Sequence, residues 1–277
     1  MTRVASTDGV ELAVFDLGGT GPALLLSHAT GFHGRCYGPL AEALGNRFHS
    51  VTFDYRGHGD TRRPPGPVDW ERYADDAVAM AVWLRDEAGA PIDAFGHSMG
   101  GACLLMAAHR DPSLFRRLVV FEPIVFPPTG LLPDGEGSPL AAGARRRRAS
   151  FASYEEAIAN YASKRPLGGF TPAALEAYVR HGFAPGEDGQ IHLKCRPETE
   201  AETFETGGNH QTWAVLPEIA TPVLVITGAP APFQPSSIAA DIAARLPNSA
   251  FLADDTLDHF GPMTHPDLVA SQITAYL

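Results

Sequence analysis

Cysteine is scarce: the 277-residue chain has three, Cys36, Cys103 and Cys195. They are odd in number, widely spaced and without paired metal-ligand spacing, which excludes a disulfide framework and a zinc site and leaves buried packing for Cys103. Positive charge is also short. Twenty-one Lys and Arg face 32 Asp and Glu, a net charge of −11, so no nucleic-acid partner is expected, although local basic patches remain allowed. No apolar run is long enough to cross a bilayer, and the first eight residues contain Asp8 and no apolar signal core. A soluble cytoplasmic protein without membrane association is expected. No clustered His and carboxylate motif has metal-binding spacing, so no metal or other cofactor is expected. There are no internal repeats.

What is present is an ordinary globular composition, 44% hydrophobic, in a chain long enough for one large domain or one domain with an insertion. Short apolar runs predict strands over 10–15, 23–27, 48–53, 92–95, 118–121, 223–227 and 250–252. A helix is predicted over 37–44. A long amphipathic helix is predicted over 69–88, with Asp69 as N-cap and Gly89 as its C-terminal stop. Repeated strand-helix units imply an α/β fold, a mostly parallel central sheet with helices on both faces. Ligands on such sheets bind beyond the carboxyl ends of the strands.

The alternation breaks between Pro123 and Ala220. A Pro- and Gly-rich stretch over 126–139 leads to helical patterns over 141–149, 153–163, 171–180 and 197–206, with no clear strand. These patterns predict a helical cap over 124–220, inserted into a core formed by 1–123 and 221–277. Because the insertion leaves the sheet at a strand's carboxyl end and must return there, it is expected to lie across the mouth of the site. An independent helical domain beside the core is the alternative.

Residues 92–101 carry the chemistry: a short apolar run, then Gly96-His97-Ser98-Met99-Gly100, then an Ala- and Leu-rich helical segment. This is the pattern of a nucleophile elbow, a strained turn between strand and helix that requires small residues two before and two after the serine. Gly96 and Gly100 meet that demand. The turn also places the Met99 backbone N–H at a helix N-terminus, where it can donate to a developing oxyanion. Serine needs a base, and the best candidate is His259, after the last predicted strand and before the terminal helix that begins at Pro266. His265, at that helix start, is the next candidate and is expected to be exposed.

On these residues the chain resembles the α/β-hydrolase superfamily over nearly its whole length. The resemblance rests on residues 24–32 (LLLSHATGF), 54–61 (DYRGHGDT), the Ser98 elbow and His259-Phe260, which occur in the family's order. It implies an α/β-hydrolase fold and a structural, loop-bracing role for Asp54, Arg56 and His58. By alignment with the family's His-Gly oxyanion loop, the Thr30 backbone N–H would be the second oxyanion donor beside Met99, with the Thr30 hydroxyl as an optional third. Ala29 stands where glycine is usual and is acceptable only if the backbone there avoids positive φ. His28 is read as holding the loop.

Family members usually carry the triad acid after the penultimate strand, but residues 227–233 (TGAPAPF) offer no carboxylate. Some members, including certain haloalkane dehalogenases and pancreatic-type lipases, place it after the strand following the elbow. Glu122, 24 residues beyond Ser98, occupies that place. The resemblance therefore implies a Ser98, His259, Glu122 triad, with Asp254, Asp255, Asp258 or water as alternatives to Glu122. The dehalogenases and epoxide hydrolases use aspartate where this chain has Ser98, which disfavours halide and epoxide chemistry.

Phe32, after the oxyanion loop, and Met99, beside the nucleophile, are expected as walls of a substrate pocket. Phe126 and other aromatics of the insertion could line an acyl pocket, though most are expected in the insertion's own core. Four successive arginines, Arg145 to Arg148, could bind an acidic substrate or form a solvated helix paired with Glu155, Glu156 or the insertion's other acids. On a helix they would fan through about 300°, so at least one should lean inward. The first functional expectation is a serine hydrolase cleaving a small or medium carboxylic ester, thioester or lactone through an acyl-enzyme. The alternatives are a carbon–carbon bond hydrolase acting on a diketone-like substrate and a non-catalytic, receptor-like binding protein. The expected partner is a small-molecule substrate. Monomer and homodimer are both left open.

Overall fold

The central strands are apolar on both faces because both faces are covered: Leu24, Leu25 and Leu26 are all fully buried. The computed structural model describes residues 2–128, 138–231 and 234–277. Most of the Pro- and Gly-rich stretch over 126–139 thus lies outside the described residues, as do Pro232 and Phe233. In chain order the first elements are β1 (Thr2–Ala5), β2 (Glu11–Gly18), β3 (Ala23–Ser27), α1 (Gly38–Leu44), β4 (His49–Asp54) and α2 (Trp70–Ala88). They are followed by β5 (Ile92–His97), α3 (Met99–Arg110) and β6 (Phe115–Phe121).

An inserted segment then supplies α4 (Pro139–Arg145), β7 (Ser150–Phe151), α5 (Tyr154–Ala162), α6 (Pro172–Gly182), β8 (Phe183–Pro185), β9 (Ile191–Leu193), α7 (Pro197–Glu205) and α8 (Thr212–Val215). The chain returns through β10 (Val223–Thr227), α9 (Ala239–Arg245), β11 (Ser249–Ala253), α10 (Gly261–Thr264) and α11 (Pro266–Tyr276).

Eight strands form one sheet in the order β1-β2-β4-β3-β5-β6-β10-β11. The two pairings made by β2 are antiparallel and the remaining five are parallel. Successive side chains of a strand face opposite ways, so Leu25 joins the core beneath α2 and α3 while Leu24 and Leu26 join the core beneath α1 and α11. The fold is that of an α/β hydrolase. Helix α2 starts and stops as its sequence predicts: the Asp69 side chain accepts the Glu71 N–H, and Gly89 takes a left-handed φ of 70°.

Two features correct the sequence reading. β1 was not predicted; it is a four-residue edge strand with one buried side chain, too little to show an alternation. The inserted segment is not purely helical, because β7, β9 and β8 form a small antiparallel sheet. These strands are two or three residues long, below the length at which a period of two is visible, and Pro185 sits on the edge strand, where its missing N–H is tolerated. The helical pattern over 141–149 correspondingly ends at Arg145. Aromatics of the segment, Phe151, Tyr161, Tyr178 and Phe183, pack together and run on into the core beneath α1 and α11.

Candidate active site

The loops that follow β3, β5, β6, β10 and β11 meet at the carboxyl edge of the sheet. Ser98 lies between β5 and α3 with φ 56° and ψ −115°. Its N–H donates to the Phe121 carbonyl at 2.9 Å, and its own carbonyl accepts from Ala102 and Ile124 at 3.1 and 3.2 Å. Backbone crowding explains the flanking glycines: a Cβ at Gly96 would stand 2.7 Å from the Gly100 oxygen, and one at Gly100 would stand 2.3 Å from the Ser27 oxygen.

Three side chains form one hydrogen-bonded line. His259 Nε2 lies 3.2 Å from Ser98 Oγ, and His259 Nδ1 lies 2.6 Å from Glu122 Oε2. With the carboxylate acting as acceptor, Nδ1–H donates to Glu122 and leaves Nε2 to accept the Ser98 hydroxyl proton. The second carboxylate oxygen, Oε1, accepts the Gly228 N–H at 2.9 Å and lies 3.2 Å from the Thr227 hydroxyl. Glu122 is fully buried, so these partners replace the water it has lost. Among the described residues only Asp8, Ser98 and Glu122 are non-glycine residues at positive φ, with Glu122 at 44°. Such conformations cost about 1–3 kcal/mol each and persist where the surroundings dictate them.

The other carboxylates near His259 are engaged elsewhere or point to solvent. Asp254 accepts from Thr256 and Gln272, Asp258 accepts the Phe260 N–H, and Asp255 is exposed. His265 is exposed and bonds Thr264 Oγ1, outside the line. The sequence signal for Gly228 was present but inverted: the position where the usual acid turn begins here supplies an N–H to an acid on the neighbouring strand.

Met99 opens α3, and neither its N–H nor that of Thr30 has a protein acceptor among the described residues. The loop after β3 accepts Ala29 because the positive φ falls instead on Gly31, at 75°. A Cβ at Gly31 would meet the Glu200 carboxylate at 2.5 Å. His28 is structural, donating from Nδ1 to the Ala29 carbonyl at 2.8 Å and accepting the Tyr55 N–H at 3.0 Å. Burial and the nearby His58 hold it well below the ordinary histidine range.

Ser98, Thr30 and His259 line a cavity of about 420 Å³, with Phe32, Phe126, Ile124, Phe204 and Phe260 among its apolar walls. Phe32 and Phe126 line it. The Met99 side chain does not; it is fully buried in the core beneath α2 and α3, because the helix turns it away from the cavity. The Thr30 hydroxyl is buried and has no hydrogen-bond partner among the described residues.

The four arginines divide. Arg145 pairs with Glu205 and Arg148 with Glu156 at the surface, whereas Arg147 turns inward to the cavity and pairs with Glu200. Its guanidinium also bonds the Tyr178 hydroxyl. Asp54, Arg56 and His58 brace loops. Asp54 accepts the Gly34 and Asp60 N–H groups at 2.8 and 2.7 Å, and Arg56 is paired with Asp76 at 2.7 Å. Among the described residues no His, Cys, Asp and Glu cluster could hold a metal ion, and no described helix is long and apolar enough to cross a membrane.

With a serine on a strained strand-helix turn, a histidine and a carboxylate in line, and an eight-stranded mostly parallel sheet beneath them, the molecule has the makeup of a hydrolase of the α/β class. Residues 24–272 match the sequence profile described as the alpha/beta hydrolase family, and the chain belongs to that family. It is 23% identical over 261 residues, 94% of this chain and 89% of the relative, to 2-(acetamidomethylene)succinate hydrolase of Mesorhizobium japonicum. A crystal structure of E-2-(acetamidomethylene)succinate hydrolase superposes with a TM-score of 0.77 at 20% identity, covering 100% of this chain and 98% of the other. The enol-lactonase of Burkholderia xenovorans LB400 gives a TM-score of 0.71 at 21% identity, covering 99% and 98%.

Proposed function

We propose that the protein is a serine hydrolase that cleaves a small or medium carboxylic ester, thioester or lactone through an acyl-enzyme on Ser98. The observation that carries this reading is the unbroken line from Ser98 through His259 to Glu122, opening on an apolar cavity. Ser98 Oγ attacks the substrate carbonyl carbon while His259 Nε2 takes the hydroxyl proton, and Glu122 stabilises the imidazolium. The carbonyl oxygen becomes an oxyanion that accepts from the Met99 and Thr30 N–H groups. Collapse expels the leaving group, which receives the proton from His259. Water then attacks the acyl carbon, giving its proton to His259, and the acid departs as Ser98 is restored.

Among the relatives the enol-lactonase supports a lactone or ester substrate, while the 2-(acetamidomethylene)succinate hydrolase is named for a substrate whose acetamido group is an amide, so hydrolysis is what the two share. Residues 124–220 act in this reading as a cap, because Leu140, Ala144, Glu200 and Phe204 share the cavity lining with Ser98 and His259. The test is intact mass after treatment with a small fluorophosphonate, on the parent and on Ser98→Ala. One adduct on the parent alone is expected, followed by turnover of an ester, thioester or lactone and not of a diketone in a substrate panel. An unlabelled parent would overturn the reading.

A further inference from the structure

The line from Ser98 to Glu122 leaves unexplained a second buried polar line that crosses behind it. Tyr37, in the turn before α1, and His97, the last residue of β5, are both fully buried. The Ala29 N–H donates to Tyr37 Oη at 3.1 Å, Tyr37 Oη lies 2.8 Å from His97 Nδ1, and His97 Nε2 lies 2.7 Å from the His259 carbonyl oxygen. The proton positions follow from the ends inward. A carbonyl only accepts, so His97 carries its hydrogen on Nε2; a neutral ring then accepts at Nδ1, which the Tyr37 hydroxyl serves while its lone pair takes the Ala29 N–H. Burial, with His259 close by, holds His97 well below the ordinary histidine range. Its ring centroid is 5.0 Å from that of His259.

We propose that Tyr37 and His97 are positioning residues: a neutral hydrogen-bonded bridge that fixes the distance between the oxyanion loop and the base. One end holds Ala29, the residue before the Thr30 donor. The other holds the backbone of His259 itself. Neither loop belongs to a strand at these positions, and a displacement of about 1 Å between oxyanion donors and base can cost on the order of 100-fold in rate. The bridge is neutral, which suits its place next to an imidazole that must itself take up a proton, because a second cation there would oppose that step.

The inference rests on the acyl-enzyme reading above, and the experiment separates the two. Fluorophosphonate labelling rates and p-nitrophenyl butyrate kinetics are measured on the parent, Tyr37→Phe and His97→Gln, with Tm for each. Gln keeps a donor toward the His259 carbonyl, and Phe keeps the ring of Tyr37 without its oxygen. The expected result is a labelled parent, variants labelled about 10- to 100-fold more slowly, kcat reduced alike, and KM changed less than about threefold. Variants that match the parent in labelling rate and kcat overturn the bridge and leave the acyl-enzyme reading standing. A parent that takes no label overturns both. Should the variants fail to fold, imidazole nitrogen NMR of the parent decides: a His97 ring that is Nε2-protonated and stays neutral through the ordinary histidine range is expected, and an Nδ1-protonated or charged ring overturns the proposal.

Discussion

Glu122 Oε2 and His259 Nδ1 stand 2.6 Å apart although the acid leaves β6 and the base follows β11, with β10 between those strands in the sheet. β10 takes part all the same, since the Gly228 N–H that follows it holds the other carboxylate oxygen at 2.9 Å. In Glu122→Gln the side-chain oxygen can still accept from Gly228, which turns the amide nitrogen toward His259 Nδ1. Two donors then face each other, and the imidazole must move its hydrogen to Nε2, where it can no longer accept from Ser98. The expected outcome is a fall in kcat of about 10³–10⁴-fold with Tm and circular dichroism near those of the parent. Retention of full activity would remove Glu122 from the relay.

The elbow predicts a contrast between two glycines of the same chain. A Cβ at Gly100 would stand 2.3 Å from the Ser27 oxygen, backbone against backbone, so neither atom can yield without opening the β3–β5 pairing. Gly100→Ala should lose about 3 kcal/mol or more in urea unfolding. Gly143, inside α4, has open space around its Cβ position, and Gly143→Ala should gain about 0.5–1 kcal/mol from helix propensity. Equal unfolding midpoints for the two variants would contradict the packing argument.

How far the sequence reached follows from the scale of each signal. The central strands were legible because both faces are buried, so their residues read as continuous apolar runs, and α2 was legible because Asp69 and Gly89 mark its ends chemically. The short strands of the insertion were not, because two or three residues carry no period. At the site, Ser98 and His259 announced themselves through local motifs. Glu122 was reached only by noticing that residues 227–233 lack a carboxylate, and its partner Gly228 not at all, since a backbone N–H has no sequence signature. The Met99 side chain was misplaced because the motif fixes the direction of its N–H and leaves the helix to decide where its side chain goes.

Buried histidines should make stability fall on the acid side. Burial pushes His33 down to about 3, and His58 and His210 down to about 4, against an ordinary value of 6.5. Above pH 6.5 these groups are neutral folded or unfolded and contribute no slope. As pH falls below 6.5 the unfolded chain binds protons that the folded chain refuses, so stability drops until the folded values are reached. For His58, whose Nδ1–H donates to the Arg56 carbonyl at 3.2 Å, this amounts to roughly 3 kcal/mol between pH 6.5 and 4. Replacing it by Asn, which can keep that donor and does not titrate, should flatten the fall in denaturant stability over this window by about one proton's worth. An unchanged slope would mean that His58 takes up its proton as readily in the folded protein as in the unfolded chain.

Thr30 offers a case in which stability and activity should move in opposite directions. Its hydroxyl is buried, belongs to a residue that lines the cavity with Ser98 and has no hydrogen-bond partner among the described residues, a state that costs the resting protein about 1–3 kcal/mol of unrecovered desolvation. In the proposed mechanism the backbone N–H is the primary donor, and a hydroxyl on the same cavity lining as the nucleophile can donate to the oxyanion as soon as one forms. Thr30→Val keeps the branched shape and the N–H while deleting the hydroxyl. It should leave Tm equal or higher and lower kcat by about tenfold or more, with Thr30→Ser restoring most of the rate. If the valine variant turns over p-nitrophenyl butyrate at the parental kcat, the two backbone donors suffice and the orphaned hydroxyl serves the substrate's ground state or nothing at all.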